Sequence, residues 1–161
     1  MQTVRTPAVA GLFYPADAAE LQTQVRGFLN QVEPPAEPPP KAIIVPHAGY
    51  IYSGPIAASA YARLRAARDV IHRVVLLGPS HRVGFRGIAV SGMEAFATPL
   101  GRITVDREAV EQLEQLPDVG FLEQAHAQEH SLEVHLPFLQ EVLGHFKLVP
   151  LVVGEARPTE V

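Results

Sequence analysis

The sequence predicts an α/β fold with three αβα layers around a largely parallel central sheet, in a single domain covering residues 1–161. Three observations carry this expectation. Residues 42–46, 73–77 and 147–153 are short apolar runs with the length and branched side chains of buried strands. Stretches of helical spacing separate them. The first two runs lie one strand–helix–strand unit apart, about 35 residues, which suits a right-handed crossover between parallel strands.

Asp17 to Val32 reads as an amphipathic helix. Asp17 and Glu20 have capping-box spacing, and Leu21, Val25, Phe28 and Val32 fall on one face. Glu33 to Pro40 is proline-rich and reads as a stiff extended connector into the strand at 42–46. Ser53-Gly54-Pro55 reads as the start of the next helix, with proline at its first position and Ile56, Ala60, Tyr61, Leu64 and Ala67 facing inward. Arg73 to Leu77 is the second strand and Gly87 to Ser91 a third. Thr98-Pro99-Leu100-Gly101 is a turn, with Arg102 to Val105 extended after it. Asp106 caps a helix whose inner residues are Val110, Leu113 and Leu116. Ser131 reads as the cap of a helix with Leu132, Leu136, Leu139 and Leu143 on one face, bent at Pro137. Lys147 to Val153 is the last strand, and Glu155 to Val161 is a polar tail.

Composition narrows the function classes. The net charge of −4 offers no electrostatic basis for nucleic-acid or anionic-membrane binding. The absence of cysteine excludes a thiolate nucleophile, a disulfide framework and a cysteine zinc site within these residues. No apolar run reaches the ~18 residues of a membrane span, and no signal peptide is visible, so a cytoplasmic location is expected.

Chemistry concentrates on histidine. His47 follows Ala42-Ile43-Ile44-Val45-Pro46, and His81 follows Val74-Val75-Leu76-Leu77-Gly78-Pro79-Ser80. Both sit in proline- and glycine-rich turns just past apolar runs, where open α/β sheets bind their ligands. Parallel strands would bring both imidazoles to the same sheet edge, the beginning of a metal site. A second cluster runs Glu129-His130-Ser131-Leu132-Glu133-Val134-His135. Glu129 and His130 precede the expected helix, while His135 flanks its apolar face, as either a core-edge histidine or a pocket residue. The five-residue spacing of His130 and His135 is not that of a zincin. Tyr50 and Tyr52 beside His47 are either pocket walls or packing residues. His72, His126 and His145 are expected on the surface. Ser53 and Ser80 lack a nucleophile-elbow context, and phosphate-binding glycine loops are absent.

These motifs, in order, resemble the Memo family, also known as the B component of the AmmeMemoRadiSam system. They are Arg5-Thr6-Pro7-Ala8-Val9-Ala10-Gly11-Leu12-Phe13-Tyr14-Pro15, Val45 to Gly54, Leu77 to His81, Thr98 to Gly101, and Glu129 to Phe138. The resemblance implies a fold like that of LigB-type class III extradiol dioxygenases, which hold non-haem Fe(II) with two histidines and a carboxylate. It implies His47 and His81 as metal ligands, with Fe(II) as the expected ion and copper or zinc as the other candidates. Glu129, His130 and His135 are then expected to transfer protons or support the ligands. The Memo family departs from the dioxygenases at the third ligand, so redox chemistry is expected more than ring cleavage. The alternative is an accessory protein that binds metal or a peptide without turnover, beside radical-SAM and AMMECR-type partners. A zinc hydrolase has no particular support. Family members continue past the last strand here, so the chain reads as a C-terminally truncated domain. Its exposed sheet edge would be covered by a homo-oligomer or in another way.

Overall fold

The computed structural model describes residues 3–33 and 36–157. Pro34 and Pro35 of the expected connector and residues 158–161 of the expected tail lie outside them. The elements in order are β1 (Val4–Arg5), α1 (Ala18–Asn30), α2 (Tyr50–Tyr61), a 3-10 turn (Ala62–Ala67), β2 (Arg73–Pro79), β3 (Ile88–Val90), β4 (Ala95–Thr98), β5 (Gly101–Thr104), α3 (Arg107–Leu113), β6 (Val119–Phe121), α4 (Glu123–Ala127), a second 3-10 turn (Glu133–His135), α5 (Leu136–Val142) and β7 (Lys147–Val153).

The strands form two sheets flanked by helices. One has the order β1-β4-β5 and the other β2-β7-β3-β6. The α/β class therefore holds, and the larger sheet is mixed. β2 runs parallel to β7, and β3 parallel to β6, but β3 and β7 are antiparallel. Helices α1, α2 and α5 pack on one another. The main core joins Leu21, Val25 and Leu29 of α1 to Tyr61, Phe138, Leu148 and Val149. A smaller cluster unites Ala125 of α4 with Ala89, Leu132 and Val152.

Local chemistry explains most boundaries. Asp17 caps α1 as expected, accepting from the Glu20 N–H at 2.9 Å. Asp106 caps α3 through the Ala109 N–H. Thr98 to Gly101 turns β4 back antiparallel onto β5. Val110 is buried at the base of α3, but Leu116 lies past its end and is exposed.

Four expectations need correction. Residues 42–46 form no strand among the described residues: they have no ladder partner, and Ile44 is fully exposed. Helix α2 starts at Tyr50, whose N–H is held by the Phe13 carbonyl at 2.8 Å, so Pro55 lies inside the helix. The buried side of α2 is Ser53, Gly54, Ala57, Ala58 and Tyr61, whereas Ile56 faces solvent. Gly54 is required there, because a Cβ would come within 2.4 Å of the Phe28 ring of α1. Finally, Ser131 does not cap a helix. Its hydroxyl donates to the Pro79 carbonyl at 2.8 Å, and α5 begins only at Leu136, after the 3-10 turn. Pro137 consequently lies in the first turn of α5, where its missing N–H interrupts nothing.

Candidate metal centre

His81 stands two residues beyond the end of β2, and His47 lies two residues before Gly49, the N-cap of α2. The two rings converge, with centroids 5.3 Å apart. His130 completes the group, 4.5 Å from the His81 ring and 5.9 Å from the His47 ring. Each imidazole offers one nitrogen, and these three atoms lie within 4.8 Å of one another. Two nitrogens sharing an ion at about 2.1 Å are at most about 4.2 Å apart, so small side-chain rotations suffice to close the set.

Glu129 organises the cluster from behind. Its Oε1 accepts from His81 Nδ1 at 2.8 Å and from the backbone N–H groups of His130 and Ser131 at 2.9 and 3.0 Å. Its Oε2 accepts from the His81 N–H at 2.6 Å. Burial alone would raise the Glu129 carboxyl, but the hydrogen bonds from His81 and Ser131 outweigh it and hold the group down at about 2. Glu129 is thus an anion that accepts a hydrogen bond from His81 Nδ1–H, which leaves Nε2 as the nitrogen of that ring available to a metal ion. The loop can approach the strand this closely because position 78 is glycine. A Cβ there would lie 2.7 Å from Ser131 Oγ and 2.9 Å from Leu132 Cδ2.

The other imidazoles are kept neutral. Burial lowers the pKa of His47, aided by the neighbouring His81 and opposed by Glu129. Burial also lowers that of His130, with His81, His47 and Arg82 adding to the effect and Glu129 opposing it. His130 Nδ1 is a buried atom without a hydrogen-bond partner, 3.4 Å from Glu129 Oε1. Neutral imidazoles with uncommitted nitrogens are the form a metal ion binds. His135 stands one position further out, its ring 6.4 Å from that of His47. Its Nδ1 meets the Tyr61 hydroxyl at 2.9 Å, and burial pushes its pKa down to about 4. Tyr50 packs rather than lining the cluster: it is buried, and its hydroxyl donates to the Val134 carbonyl at 2.6 Å. Tyr52 is exposed.

His126, expected on the surface, is instead 1% exposed. Nε2 pairs with the Ala89 carbonyl at 3.0 Å, and burial lowers its pKa to about 4. Short helix α4 turns it inward against Phe96. Sequence reasoning also assigned no role to Glu133 and Arg5. Both are buried, and they form a salt bridge. Glu133 also accepts from the N–H groups of Ala8 and Val9 at 2.8 and 3.0 Å and from the Tyr14 hydroxyl at 2.6 Å. Arg5 further donates to the carbonyls of Glu129 and His126 at 2.7 and 3.0 Å. The N-terminal segment is therefore pinned to the loop that carries Glu129 and His130. For Arg5 the signal was available, a charged residue heading the otherwise uncharged motif of residues 5–15.

The family profile described as Memo-like protein matches residues 5–161. The chain belongs to the Memo-like family. Among relatives named MEMO1 family protein, that of Aquifex aeolicus is 46% identical over 151 residues, covering 93% of this chain and 55% of its own length. That of Ignicoccus hospitalis is 41% identical over 167 residues, covering 97% and 58%. That of Methanocaldococcus jannaschii is 40% identical over 166 residues, covering 94% and 57%. The chain thus spans just over half the length of these Memo-like relatives. Among the described residues, no helix is long and apolar enough to cross a membrane.

Proposed function

We propose that this Memo-like chain is a metal-binding protein of redox function, with Fe(II) as the preferred ion and copper as the alternative, held by His47, His81 and His130. The observation that carries this reading is the convergence of three imidazole nitrogens within 4.8 Å of one another. An all-imidazole donor set suits iron, copper and zinc, and it disfavours magnesium or calcium, which take oxygen ligands. Iron or copper, when bound, supplies one-electron and dioxygen chemistry.

The protein's own part in that chemistry is positioning and charge. Glu129 fixes the ring of His81 and, held at about 2, stays ionised throughout the neutral range. That makes it a support for the ligands rather than a proton carrier. His130, first considered for proton transfer, is assigned here as a ligand. By the same reasoning His135, pushed down to about 4 by burial, stays neutral near pH 7; oriented by Tyr61 and beside His47, it offers a hydrogen bond at the edge of the cluster rather than a shuttled proton. Radical-SAM and AMMECR-type partners belong to this reading as proteins that such a centre would serve.

The test is metal loading of the apo-chain under anaerobic conditions. One Fe(II) per chain is expected, with at least tenfold weaker binding in His47→Ala, His81→Ala and His130→Ala and none lost in the exposed His145→Ala. Wild-type loading in the double variant His47→Ala/His81→Ala would contradict the assignment. Oxygen uptake by the loaded chain would separate a redox enzyme from a protein that only holds the ion.

A further inference from the structure

Segment 5–14 touches both the loop of His47 and the loop of His130. At one end, Arg5 donates through Nε to the His126 carbonyl at 3.0 Å, through Nη2 to the Glu129 carbonyl at 2.7 Å, and through Nη1 to Glu133. At the other, the Phe13 carbonyl accepts from the N–H of Tyr50, three residues after His47, at 2.8 Å. The Phe13 ring stands 4.7 Å from that of His130. Between these ends the Val9 carbonyl accepts from the N–H groups of Leu12 and Phe13 at 3.0 and 2.9 Å, a tight turn that holds Phe13 in place. Glu133 anchors that turn through the N–H groups of Ala8 and Val9 and the Tyr14 hydroxyl. Residues 128–132, by contrast, belong to no helix or strand, so no regular ladder fixes where His130 sits.

We infer that segment 5–14 is a clamp that holds His130 against the other two imidazoles, with Arg5 and Phe13 as positioning residues; the inference rests on the metal reading proposed above. A buried ion pair brings little net stability, and its best-attested use is to fix one arrangement over others. Arg5 fits that use, because beyond its carboxylate partner it aims two further donors at carbonyls on the way to His130. The three ligand nitrogens lie within 4.8 Å of one another, and an ion shared at about 2.1 Å tolerates little further spread. A loose His130 loop would have to be ordered when the ion arrives, and that cost is subtracted from affinity. Docking of the clamp and binding of the ion are therefore coupled, and the coupling is reciprocal: the clamp raises metal affinity, and the ion tightens the clamp.

The test titrates the metal-free 161-residue chain with Fe(II) under anaerobic conditions at one pH and follows amide hydrogen exchange in parallel. Arg5→Lys keeps the charge but loses the planar fork that reaches three acceptors. Phe13→Ala removes the ring beside His130 and leaves the carbonyl that holds Tyr50. Each should bind Fe(II) about tenfold more weakly. In a His130→Ala background each should change affinity by less than about twofold, because the clamp acts through that ligand. In the wild type, Fe(II) should slow exchange at Ala8 and Val9 about tenfold beyond any slowing at Ile103 of β5, which reports a general gain in stability. That measurement needs no variant, so the test stays open if Arg5→Lys fails to fold. Folded variants with wild-type affinity, an equal loss with and without His130, or exchange at Ala8 and Val9 that Fe(II) leaves unchanged would overturn the inference while the metal reading stands. A wild-type chain that takes up no Fe(II) would end both.

Discussion

Glu129→Gln is the substitution that most sharply separates a supporting carboxylate from an incidental one. The side chain is 1% exposed and accepts four hydrogen bonds. A hydrogen bond to a charged acceptor is worth about 1.5–3 kcal/mol and a neutral one about 1 kcal/mol. An amide keeping its oxygen at the Oε1 position retains three bonds at neutral strength, a loss of about 2 kcal/mol in total. Its NH₂ then faces the His81 N–H across 2.6 Å, donor against donor, which adds about 1–3 kcal/mol. The pKa supports a similar size. A carboxyl held at about 2, against an ordinary 4.5, favours the folded state by about 2–3 kcal/mol after solvent screening. We therefore expect Glu129→Gln to lose about 3 kcal/mol in urea unfolding of the metal-free chain at pH 7. The sign with pH is fixed: a lowered carboxyl stabilises fully above about 4.5 and loses that contribution as pH falls toward 2. The gap between wild type and variant should narrow from pH 5 to pH 3. Metal affinity should also fall about 10–100-fold. A gap below about 1 kcal/mol at pH 7, or one that stays constant to pH 3, would refute this account of Glu129.

Arg5→Ala should destabilise by about 3–5 kcal/mol, because it leaves Glu133 as a buried carboxylate without its cation; calorimetric or urea unfolding within 1 kcal/mol of wild type would contradict that. Gly78→Ala should cost about 1–3 kcal/mol by overpacking and also weaken metal binding, since the new Cβ displaces Ser131 and Leu132 beside Glu129. Phe138→Ala should cost about 3–5 kcal/mol in the same unfolding assay, because its ring is buried and stacked 5.1 Å from Tyr61. Because burial holds His47 and His130 below the ordinary histidine value, protons should compete for those two ligands at lower pH than for an ordinary imidazole. A competition titration in which metal affinity falls over the same pH range as that of free imidazole would oppose this.

The sequence makes strands and caps legible wherever one local rule decides. Asp17 and Asp106 cap the helices they were expected to cap, and Lys147 to Val153 is a strand at both its expected ends. Readings failed where a distant partner decides. Residues 42–46 have strand composition, but a strand exists only with a neighbour to pair with, and none adjoins them among the described residues. Tyr50 begins α2 because Phe13, far away in the chain, holds its N–H. His126 looks like any polar residue in a short helix until the sheet offers it the Ala89 carbonyl. At the site, the approach of His47 to His81 was expected from their placement past two apolar runs, and the rings do meet, although the first run is not a strand paired in a ladder. The arrival of His130 does not, because the Glu129 loop reaches the cluster through contacts with Arg5, His81 and Pro79 that no spacing encodes.

X-ray absorption on the iron-loaded chain tests the central assignment most directly, because it counts the imidazoles around the ion. Three histidine nitrogens at about 2.0–2.2 Å are expected in the wild type, and two in each of His47→Ala, His81→Ala and His130→Ala. An ion surrounded by oxygen alone, or an imidazole count that none of the three substitutions changes, would contradict the account.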